Sequence, residues 1–565
     1  MFQNNKKVFD KQVIANMFND FYINIGPKLA NAIDANNIDI QYDTYLKDLN
    51  VDYSMFIEPS TEEEIAKVIS GFKNKNSQDI HGLSMFIIKQ ICDTIVKPLN
   101  IICNLSFTTG VFPNKMKTAK VLPLFKANDV HEVSNYRPVS ILTQFSKILE
   151  KLFEKRLRNY VDKNNLLFDG QYGFRVNRST GLALNELVDT IINALDNNKY
   201  CVGVFIDLKK AFDTVDHTLL INKLKYYGVR GITSKFLESY LSDRTQFVSY
   251  DKHNSTEEVI KCGVPQGSIL GPLLFIIYIN DMCKVSDLLR FIIFADDTNI
   301  FCLDNDPVLL VEKLNRELIK LTNWFRVNKL SLNVAKSNFM VFGKKSTNIS
   351  DIKLNGVTLE KVLSTKFLGV HIDYRFRWYT HIQTVQRKVA RVLGVMYKIK
   401  HIVDKKVLIM IYNTLILPYL SYCSEIWGNT YESRLHDLIV LQKRAIRIIG
   451  DIGFRDHTTK VFKKFKCLKL VDIIRLQTCV LMYNANKGIL PKNVQHNFIK
   501  NSEIHKYNTR RRNDFFTSQS STNLRKISVN QKGIELWNAL PNRVKESVSI
   551  NVFKGNIKSI ILNSY

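Results

Sequence analysis

Two stretches place acidic residues where burial makes them costly. CVGVFID is an apolar run that ends on Asp207, and RFIIFADDTNIFC reads as two apolar strands joined by a turn that carries Asp296 and Asp297. If the fold brings these ends together, each like-charged pair about 4 Å apart costs on the order of 4 kcal/mol at an effective dielectric of 20, so the cluster needs cations. Oxygen-only donors select Mg²⁺ or Mn²⁺. Two such ions lower the pKa of an attacking hydroxyl and stabilise both oxygens of an in-line phosphoryl displacement, which is polymerase chemistry. Neighbours on extended backbone point to opposite sides. Asp296 and Asp207 are therefore expected to be the principal pair, with Asp297 a secondary ligand or supporting charge. FADD alone fits a plain hairpin turn just as well.

The elements that must position these acids lie between about residues 111 and 373. There, short β-rich runs (VLPLF, CVGVFID, LRFIIFA, NIFCL, FMVFG) alternate with helical segments such as FSKILEKLFEKRLRNYV, predicting an α+β domain with a mainly antiparallel sheet. The first hundred residues read as helices, with Ser60 as N-cap of TEEEIAKVISGF. Beyond His381 the pattern is helical and basic. Residues 500–526 hold seven Lys/Arg against two acids, including Arg510, Arg511 and Arg512, and suit a nucleic-acid contact or a solvated linker.

The 565 residues, 45% hydrophobic, can bury sizeable cores, and 80 Lys and Arg against 52 Asp and Glu give a net charge of +28. That excess points to a polyanionic partner, although histone-like and membrane-surface proteins share it. Val407–Ser424 runs uncharged for 18 residues. Its Asn413, Thr414, Pro418 and Ser421 favour a buried helix over a membrane span. The nine cysteines are scattered without a CxxC pair or zinc-knuckle spacing, as expected of a reduced compartment.

In chain order, VLPLFKANDVHEVSNYRPVSIL, QYGFRVNRST, FIDLKKAFDTVDH, GVPQGSILGPLLFIIYINDM, FADD, LSLNVAKSNFMVFG and FLGVHID occur in an arrangement that resembles the reverse transcriptases of LINE-type (non-LTR) retrotransposons, particularly jockey-like ones. They match two fingers motifs and motifs A to E. LPYLSYCSEIWG, LQKRAIRIIG and WNALP with its following FK extend the resemblance toward the C-terminus. It implies an α+β right-hand polymerase: a helical N-terminal extension (1–105), fingers and an antiparallel-sheet palm (106–373), a helical thumb (374–455) and a basic C-terminal region (456–565). The implied activity is RNA-directed DNA synthesis from a primer 3′-hydroxyl. The implied partners are an RNA template, a DNA primer or target, and dNTPs, with no membrane. Two Mg²⁺ ions, or Mn²⁺ in their place, would be held by Asp207, Asp296 and Asp297. The implied setting is intracellular, a ribonucleoprotein of nucleus and cytoplasm.

The resemblance also assigns roles. Arg137 would grip the triphosphate with its fork of donors, and Lys126 would add charge. Gln266 and Gly267 would lie beside the nascent base pair, where glycine lets backbone approach the nucleotide. Phe212 would be the steric gate against a ribose 2′-hydroxyl, Lys336 the acid that protonates pyrophosphate, and Phe367, Leu368 and Gly369 the primer grip. Read without the resemblance, Lys126 also suits a solvated surface, Pro265–Gly267 a turn, and Phe212, Phe367 and Leu368 plain packing.

Where family members often have SPGPDG-like residues, KNSQDIHGLS leaves Ser77, Asp79 and Gly82 without an assigned template contact. About 110 residues precede the first fingers motif, too few for an endonuclease of ordinary size, which is expected from a missing upstream domain or in trans. Two competing readings are an RNA-dependent RNA polymerase, against which Phe212 argues, and a non-catalytic RNA-binding protein from a decayed element, against which the intact acids, Arg137 and Gln266 argue.

Overall fold

In the computed structural model, which describes residues 1–565 except 4, 5, 34–39, 48–50, 344–348, 350, 506, 508 and 509, the first long element is a helix, α1 (Lys11–Asn31). Its N-cap Asp10 accepts the backbone N–H groups of Gln12 and Val13. Helix α2 (Glu62–Gly71) is capped by Thr61, whose hydroxyl accepts the Glu64 N–H at 3.2 Å. The cap is thus one residue later than expected, because Ser60 is buried and bonds Asn100 and Asn104 of α3 (Cys92–Thr109). A buried hydroxyl needs a partner more than an exposed helix end needs that particular cap.

The strands of the two main sheets and of the hairpin after them follow in the order β1 (Ala119–Phe125), β2 (Tyr136–Ile141), β3 (Tyr200–Ile206), β4 (Thr245–Tyr250), β5 (His253–Asn254), β6 (Glu258–Val259), β7 (Arg290–Phe294), β8 (Asp297–Asp304), β9 (Asn338–Phe342), β10 (Glu360–Lys361), β11 (Ser364–Phe367) and β12 (Val370–Asp373). Between and after them run α4 (Gln144–Lys163), α5 (Thr180–Asp196), α6 (Gly271–Tyr278), α7 (Pro307–Val327), α8 (Tyr379–Ile399), α9 (Glu432–Gly450), α10 (Leu470–Asn486), α11 (Val529–Asn538) and α12 (Ile550–Asn563). A central sheet has the order β10-β9-β3-β8-β7, antiparallel except for β9–β10. A second sheet, β2-β1-β4-β5 with β6 also on β4, pairs β1 and β4 in parallel. The fold is mixed α/β.

Strand β3 is buried along both faces, and its period of two sends alternate side chains into two cores. Val202, Val204 and Ile206 join a core with α2, α3, α4, α6 and α7. Cys201 and Phe205 join another with α5, α8, α9, α10, α11 and α12. Gly203 stands between the Phe301 and Phe342 rings, where a Cβ would come within 2.7 Å of the first. Neither the 105 nor the 373 boundary marks a break in these cores.

Val407–Ser424 folds as a short helix (Lys405–Ile411), a π-turn (Tyr412–Ile416) and a further turn (Leu417–Ser421). The expectation of a buried helix needs correction. Leu408, Tyr412, Ile416 and Leu420, four residues apart, face the core, while Met410, Leu415 and Tyr419 are exposed. No helix among the described residues is long and apolar enough to cross a membrane. All nine cysteines are free.

The C-terminal region docks on α5 through Arg525–Asp189 at 2.6 Å, Thr522 N–H to Asp196 at 2.9 Å, and Asn493 to Glu186 at 3.0 Å. Glu186 also accepts the Tyr172 hydroxyl. Burial pushes the Glu186 carboxyl up to about 7. Because the folded form holds the proton more tightly than an unfolded glutamate near 4.5, its stabilising effect is full below pH 4.5 and is lost as the pH rises to 7. Glu186→Gln, which cannot ionise, should raise the apparent Tm at pH 8 by about 3 °C, after solvent screening at this half-buried site, and leave it unchanged at pH 5. Equal shifts at both values would show that Glu186 is not the titrating group.

Candidate active site

The register of the central sheet assembles the acids. Thr298 pairs with Ile206, so Asp207, one residue past Ile206, lies beside Asp297, one residue before Thr298. Asp297 in turn pairs with Phe294, leaving Ala295 and Asp296 as a two-residue hairpin loop with Ala295 at φ 56°. Burial raises the Asp296 carboxyl, aided by the charge of Asp207. Burial and the charges of Asp296 and Asp207 push Asp297 up to about 6. None of the three acids has an ion pair among the described residues.

Asp207 is held apart by other partners: its Oδ2 accepts the Asn333 amide at 2.6 Å and its N–H donates to the Ser337 hydroxyl at 3.1 Å. Among the described residues, no group of three or more His, Cys, Asp or Glu side chains gathers tightly enough to hold a metal ion. The backbone brings three carboxylates to one edge, and mutual repulsion favours side chains that stand apart. As a donor set, oxygens only and without cationic partners, they suit a hard divalent ion.

Sequence reasoning missed the brace on this hairpin. Gln171, buried, accepts with one oxygen both the Ala295 N–H at 3.1 Å and the Gly173 N–H at 2.8 Å. Gly173 lies so close that a Cβ would stand 2.4 Å from the Ala295 nitrogen. Tyr172 N–H to Ile293 O at 2.7 Å and Ile293 N–H to Gly170 O at 2.8 Å add strand-like pairing to β7. The signal was QYGF: a glutamine beside a glycine in an otherwise apolar approach needs a buried partner.

Lys126 and Arg137 are exposed on the β1–β2 hairpin, where Leu124 pairs with Arg137 and the Lys126 N–H donates to Asn135 O at 3.0 Å. Both act electrostatically on Asp296. Lys336 ends a short turn, Val334–Lys336, next to Asn333. Lys210, which sequence reasoning did not single out, joins them. It is left-handed at φ 50°, and its ammonium stands 5.6 Å from the Phe21 ring centre. Burial lowers its pKa, and Lys126, Arg137 and Lys336 lower it further.

Phe212 stacks on Phe275 at 4.3 Å and 23° and meets Phe174 edge-on at 6.1 Å. Its turn is laced to the next motif by Val264 N–H to Phe212 O at 2.9 Å and Gln266 amide to Asp213 at 2.8 Å. Burial raises the Asp213 carboxyl, opposed by the Gln266 bond and Lys210. Gly267, at φ 138°, faces Ser140, whose carbonyl oxygen would lie 2.3 Å from a Cβ. Space beside protein backbone is thus a sufficient reason for glycine here.

Helix α1 closes this region from behind. Its Gly26 has no room for a Cβ beside Asp213 O at 2.3 Å, and the Leu29 carbonyl accepts the Ser331 hydroxyl at 3.2 Å. Phe367, Leu368 and Gly369 form the β11–β12 hairpin: Phe367 is buried, and Leu368 and Gly369 have φ 46° and 83°. The Tyr422 hydroxyl donates to Leu368 O at 2.7 Å, tying that tip to the helices beyond. Asp79 is not free for a template. Its carboxylate accepts His81 N–H and Leu83 N–H at 2.9 and 3.0 Å and, at the start of α4, Gln144 N–H at 2.8 Å.

Residues 125–372 match the family model described as reverse transcriptase (RNA-dependent DNA polymerase). This stretch is similar to reverse transcriptases. It spans the acids, the β1–β2 hairpin from Phe125 and most of the β11–β12 hairpin. The chain is 31% identical over 423 residues to the probable RNA-directed DNA polymerase from transposon BS of Drosophila melanogaster, covering 71% of this chain and 46% of that protein. It is 27% identical over 453 residues to the RNA-directed DNA polymerase from mobile element jockey of the same species, covering 78% and 49%. To the Pol polyprotein from type-1 retrotransposable element R2 of Popillia japonica it is 28% identical over 294 residues, covering 49% and 39%. The resemblance to non-LTR retrotransposon proteins therefore runs well beyond residues 125–372. The chain spans about half the length of the first two relatives.

Proposed function

We propose that the protein is the RNA-directed DNA polymerase of a non-LTR retrotransposon, extending a primer 3′-hydroxyl with dNTPs on an RNA template. The central sheet serves as palm, the β1–β2 sheet as fingers and the helices after β12 as thumb. What carries this reading is the sheet register that sets Asp207 beside Asp297, with Asp296 in the adjoining hairpin loop and Lys126 and Arg137 within electrostatic reach of it. In its element the primer is nicked target DNA.

Asp207 and Asp296 would hold the divalent ions, with Asp297 supporting. Bound there, such ions acidify the primer hydroxyl and stabilise the charge of the displaced phosphoryl oxygens. Arg137, Lys126 and Lys210 bind and orient the triphosphate by charge and forked donors. Asp213 orients the Gln266 amide, and Phe212 packs under the sugar. Lys336 gives a proton to the departing pyrophosphate. The hairpin tip at Leu368 and Gly369 positions the primer strand, and Tyr422 holds that tip.

Purified protein should extend oligo(dT) on poly(rA), stop on addition of EDTA and resume with excess Mg²⁺. Absence of extension under these conditions would favour the non-catalytic RNA-binding alternative.

Gln171→Ala leaves the Ala295 N–H of the carboxylate hairpin and the Gly173 N–H packed against it without their acceptor, so kcat should fall about 10- to 100-fold with RNA affinity unchanged. Near-normal kcat in a variant that folds would show that Gln171 does not set the position of Asp296.

A further inference from the structure

A cavity of about 810 Å³ opens at the end of the central sheet remote from the acids, where β3 begins at Tyr200 and β9 ends at Phe342. Asp207 lies seven steps along the strand from Tyr200, a span of roughly 20 Å, so this space is not part of the site described above. Its size falls in the range of sites that enclose small ligands.

The lining is one-sided in charge. Lys199, Arg375, Arg377 and Arg434 contribute cations, and no Asp or Glu lines the cavity among the described residues. None of the four has an ion pair there. The acids nearby are already engaged: Asp373 accepts the N–H groups of Arg375, Arg377 and Trp378 at 3.1, 3.0 and 2.7 Å, and Asp196 accepts that of Thr522. Two of the arginines also lie near tyrosines of the same wall, Arg375 4.9 Å from the Tyr374 ring centre and Arg434 5.0 Å from that of Tyr431. Arg434 is held in place by bonds to the Arg377 carbonyl at 3.2 Å and the Thr430 hydroxyl at 3.3 Å.

We propose that this cavity binds a segment of single-stranded polynucleotide, its phosphates on Lys199, Arg375, Arg377 and Arg434 and an unstacked base against Tyr374 or Tyr431. Four cations without an ion pair among the described residues call for a polyanion. The exposed Tyr431 and the half-buried Tyr374, each beside an arginine plane, offer bases a stacking platform. A concave site of this size admits a splayed nucleotide and excludes a duplex, whose bases face inward. A strand held here would be gripped roughly 20 Å from the acids, whatever the reaction there.

The test uses the full chain and fluorescein-labelled single-stranded RNA and single-stranded DNA of one sequence, with a blunt DNA duplex as control. Arg375→Gln/Arg377→Gln should weaken single-strand binding about 10-fold at 150 mM salt and reduce the slope of log K against log salt by about 1.4, two contacts at 0.7 each. Duplex affinity and extension from saturating preannealed poly(rA)/oligo(dT) should be unchanged. A larger loss for RNA than for DNA assigns the site to RNA, and equal loss assigns it to any single strand. Tyr431→Ala, which leaves the charge intact, should weaken single-strand binding without altering the salt slope. Photocrosslinking with 4-thiouridine RNA should label peptides containing Tyr374 or Tyr431. Unchanged single-strand affinity and slope, an equal loss of duplex binding, or crosslinks only elsewhere would each overturn the proposal.

Discussion

Asp207→Asn, and separately Asp296→Asn, is expected to lower primer extension by more than about 100-fold while leaving RNA retention unchanged, since losing a ligand should cost more than losing a partner behind one. Each substitution keeps the side-chain volume and removes one charge from a site whose three carboxylates have no ion pair among the described residues. Asn333 hydrogen-bonds Asp207 at 2.6 Å and needs an acceptor, which asparagine still provides. The fold should therefore survive, and the loss should fall on metal binding. RNA retention rests on a net charge of +28 spread over the chain, of which each variant changes one unit. The measurements are single-turnover extension on poly(rA)/oligo(dT) and a filter-binding isotherm over a salt series. Extension within a few-fold of the parent by either variant would remove these acids from the proposed metal site, and a parallel loss of RNA binding would point to unfolding.

Phe212→Val should raise the use of ribonucleotides about 10- to 100-fold relative to dNTPs while dNTP incorporation falls only about threefold or less. The ring is fixed on two sides, stacked on Phe275 at 4.3 Å and edge-on to Phe174 at 6.1 Å, so it has little freedom to swing away from an added oxygen atom. Forcing extra atoms into such packing costs about 1–3 kcal/mol, which is the source of the expected factor. Valine opens that space and leaves Arg137, Lys126 and the acids untouched. Ratios of kcat/KM for rNTP and dNTP, measured on one primer-template, decide the matter. An unchanged ratio would put the gate elsewhere, and a parent enzyme that uses both equally would revive the RNA polymerase alternative.

Several features were legible in the chain because they are local. The apolar runs ending on Asp207 and framing Asp296 and Asp297 are strands, since consecutive Val, Ile and Phe suit a sheet buried on both faces. A turn between β7 and β8 followed from the same pattern, but it falls on Ala295 and Asp296, and Asp297, expected in the turn, is the first residue of β8 because it pairs with Phe294. So did the helices of the first hundred residues, although their cap moved from Ser60 to Thr61 once Ser60 found buried partners in α3. Amphipathic spacing in Val407–Ser424 was present too, but composition alone read it as buried throughout.

By itself the sequence determined which side chains exist to do chemistry and which short segments carry them: three carboxylates at or near strand ends, a motif with Lys126 and Arg137, and an aromatic five residues past the first acid. Tertiary structure alone decided what surrounds them. Helix α1 reaches Asp213 and Lys210 from nearly two hundred residues away, Gln171 braces a hairpin more than a hundred residues downstream, and Tyr422 holds the Leu368 tip. Buried hydrogen bonds of this kind join groups whose partners are chosen by packing, so no local period announces them. The same holds for Gly267, whose missing Cβ makes room for the Ser140 carbonyl, and for Asp79, whose oxygens are taken by backbone N–H groups of its own loop and of α4. Residue type states what a group can do, and long-range packing decides which neighbour it does it with.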